Sequence, residues 1–285
     1  DEEVMEILMV YKDLIENLLA IPALMGTKSE GEKFAGALYT AALEALMPDG
    51  KALQMGTSHN LGQNFSKAFG IKFFGEDEKQ HHVWTTSWGI STRLIGAVVM
   101  VHGDDRGLVL PPKIAPYQVV IVPIFYKEVE RNLILNKARE VLKRLGESGT
   151  TALVDDRAEY TPGWKFHDWE LKGVPIRVEI GPRDVERKQV VVARRDNFER
   201  VEVKEEELVD TVNSLIEDIQ SSLFKRAKDF LDSHTSVVKD YGEFKKILRR
   251  KGGFVKACWC SSRECEERIK AVSYTHLTLP TNREV

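Results

Sequence analysis

Arg93 is the first residue whose chemistry demands a partner. It stands at the head of an apolar run, Leu94, Ile95, Val98, Val99 and Val101, spaced as one side of a helix. Unpaired N–H groups already make a helix start partly positive, so a cation there makes sense when an anion lies opposite it. A guanidinium keeps its charge and presents a fork of donors matched to phosphate oxygens. Upstream, Gln54 and Thr57 flank Met55-Gly56, where the backbone can be approached closely. Downstream comes an acidic turn, Gly103-Asp104-Asp105-Arg106-Gly107. Its aspartates could hold a cation, cap the helix end or pair with Arg106, and the plainest reading is a solvated turn. Further on, Arg177 and Glu179 sit two apart on a strand pattern and therefore share a face. Cys260 and Cys265 form a C-x₄-C pair, half of what a four-ligand zinc site needs.

The elements that must position these residues follow from periodicity. Residues 1–21 read as one amphipathic helix, with Val4, Ile7, Leu8, Tyr11, Leu14, Leu18 and Leu19 on its stripe. Residues 21–55 read as antiparallel strands turning at Pro48-Asp49-Gly50. A short helix is expected to start after Thr57 or Ser58 and to end at Gly70. Strands near Ile71–Phe74 and Val83–Trp88 then lead to the Arg93 helix, and an apolar strand runs from Leu108 into Pro111 and Pro112. Those prolines, with Pro116, make a hinge. Beyond it the rhythm becomes strand, helix, strand: "QVVIVPI", a helix over 128–147, a strand Thr150–Asp155, a helix over 163–171, "VPIRVEI" and "QVVVARR". That spacing predicts a small α/β unit with parallel pairing. Helices over Glu205–Ser233 and Gly242–Arg250 precede the cysteines, with Cys258 expected on a strand.

Composition narrows the class. With 285 residues, 42% hydrophobic and 30% charged, the chain is of ordinary globular type. Its net charge of −3 gives no overall cationic field, so any polyanion contact must be local. No run of about 18 apolar residues is present to span a membrane. Three cysteines, all late in the chain, point to a reducing, cytoplasmic setting. The start Asp1-Glu2-Glu3-Val4 carries neither an initiator methionine nor a signal-peptide pattern, as expected of a sequence that begins within a longer protein. "VSYTHLTLPT", Val272 to Thr281, matches a one-frame translation of a transposase-type sequencing adapter, so residues 272–285 are expected to be an artefact.

"EKFAGALYT", "GTSHNLGQNF", "SWGISTRLIGA", "HGDDRGLVLPP" and "TPGWKFHDWELKGVPIRVEIGPRD" resemble, in order, the prolyl-tRNA synthetases of the archaeal/eukaryotic-like type. "GISTR" is similar to the third motif of class II synthetases. The resemblance covers residues 1–271. It implies an α+β class II catalytic core with a mostly antiparallel sheet over 1–112. A small α/β anticodon-binding domain over 113–203 and a truncated α/β zinc-type C-terminal domain over 204–271 would follow.

It also implies that L-proline is joined to tRNA(Pro) through prolyl-adenylate, with ATP and Mg²⁺, in a homodimer. Arg93 and His59 would be catalytic; Gln54, Thr57, Ser91 and Arg93 would hold ATP; Phe34, His59, Ser87, Trp88 and Gly89 would hold proline. Asn60 stands where a second histidine is common. Glu170, Arg177, Arg183 and Asp184 would read two guanines of the anticodon, with Lys165 and Lys172 on the backbone. Cys260 and Cys265 would be half of a structural Zn²⁺ site whose second pair the chain lacks. The first and second class II motifs are expected upstream of residue 1, which would leave these residues alone nearly inactive. A synthetase for histidine, threonine or glycine, and a non-catalytic tRNA-binding paralogue, are the alternatives.

Overall fold

The amino-terminal apolar stripe folds as α1 (Glu2–Asp13), burying Val4 and Leu8, in a computed structural model that describes residues 1–126, 128–250, 252–273 and 278–280. The single helix expected over 1–21 is shorter than that. It widens into a π-helical segment, Leu14–Leu18, and Ala20 takes a φ of 55° before Pro22. A residue preceding proline is pushed out of the helical region, so the chain must leave the helix by then.

Strands β1 (Leu24–Lys28), β2 (Tyr39–Leu46) and β3 (Ala52–Gly62) form an antiparallel meander. The short helix α2 (Asn64–Phe69) and the hairpin of β4 (Lys72–Phe74) and β5 (Gln80–His82) intervene before β6 (Thr85–Gly89) pairs with β3. The helix expected from Thr57 is therefore mostly strand. From Thr57 to Gly62 burial alternates strictly, and pairing on both sides of β3 outweighs the N-cap signal of Thr57 and Ser58. Only α2 remains of it, ended at Gly70 with a φ of 68°, as read. Helix α3 (Arg93–His102) follows.

Two compact units result, one of residues 1–17, 21–97 and 228–285, the other of 18–20 and 98–227. In the second, β7 (Val119–Pro123), α4 (Glu128–Glu147), β8 (Ala152–Val154), α5 (Pro162–Lys172), β9 (Ile176–Ile180), α6 (Pro182–Arg187), β10 (Gln189–Arg194) and β11 (Arg200–Lys204) build a sheet in the order β11-β10-β9-β7-β8. Pairing is parallel for β7 with β8 and β9, as expected, and antiparallel for β9–β10 and β10–β11. The six residues of α6 are too few for a crossover, so β10 returns alongside β9. Val119 and Ile121 face α4 and α7 (Leu208–Ser233), while Val120 and Val122 face Trp169 and Val174. A strand covered on both sides reads as a continuous apolar run.

Leu108–Leu110 is extended but belongs to no sheet. Its amides donate to Leu171 O (3.0 Å) and Gly173 O (3.2 Å) at the end of α5, because a helix terminus leaves carbonyls free. In the first unit, β12 (Thr235–Val238) and β13 (Phe254–Ala257) pair in parallel around α8 (Tyr241–Arg250), and α9 (Arg263–Ser273) packs there through Ile269. Cys258 lies just past β13, not on it. Thr278–Pro280 forms β14 on the open edge of β1, an edge that accepts any extended segment. Residues 274–277 and 281–285 lie outside the described residues, so the pairing is silent on the artefact reading of 272–285. Among the described residues no helix is long and apolar enough to cross a membrane.

Candidate functional site

One face of the first unit's sheet gathers most of the residues singled out in its sequence. In register, Thr57 opposes Gly89, His59 opposes Ser87 on one side and Thr40 on the other, so these five positions share a face. Gln54 joins them although it stands three residues from Thr57, an odd spacing that should put it on the opposite side. A bulge resolves this: Gln54 pairs with Glu44 and Gly56 with Leu43, leaving Met55 as the extra residue. The opposite face, with Gly56, Ser58 and Asn60, lies against α1: a Cβ on Gly56 would meet the Tyr11 ring at 3.3 Å, and Asn60 donates to Asp1 at 2.7 Å. Trp88 pairs with Ser58 and thus stands on that side. It does not complete a wall with Phe34 and Gly89.

Phe34 does reach the His59 face. The rings lie 4.9 Å apart, and the Thr40 hydroxyl binds both His59 Nδ1 (2.8 Å) and the Phe34 amide (2.9 Å). Burial lowers the imidazole pKa below its ordinary value, which favours a neutral ring near pH 7. Above Gly89 a Cβ would meet nothing within 4 Å, so the surface there is open. On the same face Glu44 is paired with the buried Lys28.

Arg93 stands first in α3, exposed, with its Nη1 on Gln54 O at 3.1 Å and its amide on Ser91 Oγ at 3.3 Å. Ser91 thus forms a turn at the helix start. Among the described residues no carboxylate lies within 4.0 Å of the Arg93 guanidinium.

The second unit holds a charge cluster of the opposite kind. Arg177 donates to Glu179 (3.0 Å) and Glu170 (3.1 Å) while its guanidinium lies 4.1 Å over the Phe166 ring. Arg200 also binds Glu179. Glu170 Oε2 is buried without a hydrogen-bond partner among the described residues. Lys172 is held by Asp168 at 2.9 Å. Arg183 and Asp184 are not part of this group. They follow the carboxyl end of β9, whereas Arg177 lies at its start; Arg183 is exposed, and Asp184 accepts from the Gly181 amide (2.8 Å) as a cap of α6.

Lys165 is no backbone contact either. It is 3% exposed and donates to Asp155 O at 2.9 Å, and burial lowers its pKa. The acidic turn is exposed and also tied down: Asp104 receives both Nη groups of the buried Arg195 (2.7 and 2.6 Å) and the Arg106 amide. Those hydrogen bonds, from Arg195 first, overcome burial and hold its carboxyl at about 2. Asp105 is exposed.

Residues 1–102 match the model of the tRNA synthetase class II core domain (G, H, P, S and T), and residues 118–215 match that of the anticodon-binding domain. A protein of Natranaerobius thermophilus named proline–tRNA ligase is 53% identical over 270 residues, 95% of this chain and 56% of its own length. Proline–tRNA ligases of Alkaliphilus oremlandii (52% identity) and Flavobacterium psychrophilum (49%) align with 94% and 95% of this chain and 55% of their own lengths. The chain is a homologue of the proline–tRNA ligases. It spans about half the length of the curated relatives it matches.

Against that family frame, the Arg93 face lies within the class II core match and the Arg177 cluster within the anticodon-binding match. The cysteines lie beyond both. Cys260 Sγ lies 3.3 Å from Ser262 Oγ; hydrogen bonding with Ser262 first, and then the neighbouring Cys265, lowers the pKa of the Cys260 thiol, while the proximity of Cys260 raises that of Cys265. Both line a cavity of about 370 Å³ with Cys258, Phe244 and Arg268. Among the described residues no third His, Cys, Asp or Glu completes a metal-binding group, so the side chains described do not fit a four-ligand zinc centre.

Sequence reasoning missed the residues that organise the start of α5. Asp155 is buried and accepts from Arg157 (2.8 and 2.7 Å) and Trp169 (2.7 Å). Burial pushes its carboxyl up, but those bonds and the charge of Lys165 outweigh it and hold it at about 2. The available signal was the aromatic pair around Thr161-Pro162-Gly163, a helix start flanked by Tyr160 and Trp164.

Proposed function

We propose that the protein of which this chain forms part activates L-proline with ATP and transfers it to tRNA(Pro). The proline carboxylate attacks the α-phosphorus, pyrophosphate leaves, and the tRNA 3′-hydroxyl then displaces AMP from the prolyl carbonyl. One observation supports this most strongly: Gln54, Thr57, His59, Ser87 and Gly89 share an open sheet face beside an arginine that has no carboxylate within reach among the described residues. Arg93 binds the nucleotide phosphates, with Gln54, Thr57 and Ser91 around the nucleotide. Phe34, His59, Ser87 and Gly89 receive the imino acid, and the Thr40 bridge fixes the imidazole. Mg²⁺ bound with ATP supplies charge neutralisation at the phosphates.

In the second unit Glu170 and Arg177 read guanine. Arginine donates to O6 and N7, and Glu170 Oε2, which makes no hydrogen bond among the described residues but lies 3.4 Å from His167 and 3.7 Å from Arg106, accepts from a guanine N–H. The complete protein is a cytoplasmic homodimer of the archaeal/eukaryotic-like type, with its core ending near residue 112 and the anticodon-binding domain near 203. A zinc-type C-terminal domain would require ligands beyond Cys260 and Cys265. ATP–pyrophosphate exchange dependent on proline tests the reading, with histidine, threonine and glycine in parallel. Exchange driven by one of those three and not by proline overturns it.

A further inference from the structure

The loop after β8 presents an aromatic surface that the guanine reader does not use. Tyr160 and Trp164 stack on each other, ring centroids 3.8 Å apart and planes 12° from parallel, yet remain 38% and 43% exposed. Beside them the Arg157 guanidinium lies 5.1 Å from the Tyr160 ring and 5.2 Å from the Trp164 ring. Arg157 is fixed by three charge-assisted hydrogen bonds to Asp155 and one of 2.7 Å to Asp168, counting its backbone amide's 3.3 Å contact with Asp155 among the three. The Thr161 hydroxyl accepts from the Trp164 amide at 3.3 Å, which pins the first turn of α5 beneath the ring. The pair is therefore held rigid in contact with water, where apolar faces gain nothing from exposure. A ring that is already ordered loses little entropy when a second ring settles on it.

We propose that Tyr160 and Trp164 form a stacking platform for an unpaired base of the tRNA anticodon loop, next to the guanines read by Glu170 and Arg177. This inference rests on the tRNA reading above. Three features select a base over an aliphatic partner. The surface is two aromatic faces, which suit any base by π-stacking. The guanidinium held beside them by Asp155 and Asp168 has little net field and presents directional donors suited to a base edge. And Trp164 stands on the same helix as Glu170, six residues earlier, or about 9 Å along the axis, a span that a few stacked nucleotides cover.

Binding of a synthetic RNA stem-loop with GG in its single-stranded loop, measured on this chain by fluorescence anisotropy, tests it. Trp164→Ala is expected to weaken binding at least about tenfold, and Trp164→Phe far less, since stacking survives in phenylalanine. The Trp164→Ala factor should stay the same as salt is raised, whereas a factor that came from a lost phosphate contact would shrink, because that contact is itself screened. Replacing the loop bases one at a time by abasic sites should find one position whose loss weakens the parent chain but not Trp164→Ala. Thermal melting of both variants checks that the fold is kept. If Trp164→Ala and Tyr160→Ala bind within about twofold of the parent while Arg177→Lys is weakened, the platform is wrong and the guanine reader stands. If the parent chain does not bind the stem-loop, both fall.

Discussion

Arg93 and Arg177 are the same side chain in contrasting surroundings. Arg93 is exposed, bonds a backbone carbonyl and has no carboxylate within reach among the described residues; Arg177 is boxed between Glu170 and Glu179 and lies over Phe166. An unneutralised guanidinium keeps its attraction for a polyanion. A neutralised one presents directional donors with little net field, which suits an uncharged base edge. The lesson is that the charge around an arginine, more than the arginine, tells which ligand it awaits.

The largest way to break this comparison is at Arg93. In a full-length relative, Arg93→Ala should lower proline-dependent pyrophosphate exchange by roughly 10²–10³-fold, the usual cost of removing one donor to a developing anion. Arg93→Lys should recover only part, because the fork is lost. Binding of an anticodon stem-loop should be unchanged, and a parallel loss there would erase the distinction between the two sites.

Arg177→Lys should do the reverse. RNA affinity should fall by about 10- to 100-fold, corresponding to roughly 1–3 kcal/mol for a bidentate base contact. Pyrophosphate exchange should stay within about twofold. Lysine keeps a charge opposite the buried Glu179, which guards against a loss of fold that alanine would invite.

Gly89→Ala sharpens the assignment of faces. Its Cβ would enter open space, so melting should not change, whereas the KM for proline should rise by about tenfold if that space belongs to the substrate. Trp88→Ala, on the α1 side, should leave that KM nearly unchanged. A larger effect from Trp88 than from Gly89 would restore the aromatic wall expected from sequence.

The smallest effects concern acid. Burial, aided by the charge of Arg226 and opposed by the Leu19 carbonyl, lowers His102 to about 4. The unfolded chain then binds a proton that the native chain refuses, so the second unit should lose stability as pH falls from about 6.5 to 4. Asp104 and Asp155, held at about 2, should contribute a second loss between about pH 4 and 2. Melting temperature against pH should show both steps, and His102→Gln should remove the first.

The periodic parts of the fold were legible. Strands β7 and β9, helices α4, α5 and α7, and the αL end of α2 at Gly70 follow from local pattern, because each is decided by which side of the chain is apolar. The stretch after Thr57 was misread because a cap signal is local and pairing with β2 and β6 is not. Arg93 was legible as a helix start, and the structure adds that no carboxylate among the described residues lies within reach of it. Trp88 was misplaced since adjacent strand residues point to opposite faces, and membership in one motif does not override that alternation. Lys165 looked solvent-facing by residue type but is buried, and Asp104, which is exposed, gave no sign of its ion pair. Their partners, Asp155 and Arg195, come from other elements, which no local spacing announces.

The bulge at Met55 has a consequence for how this strand can change. Because Gln54 and Thr57 stand an odd interval apart, they meet only through that one surplus residue: ironing the bulge out at constant length would turn Gln54 away from its neighbours, whereas removing the surplus residue would leave an even interval that a regular strand keeps on one face. Straightening the strand is therefore the damaging change, and shortening it by that one residue is not. An odd interval in an element that counts by twos can thus be read, in a related sequence, as a written trace of the bend itself.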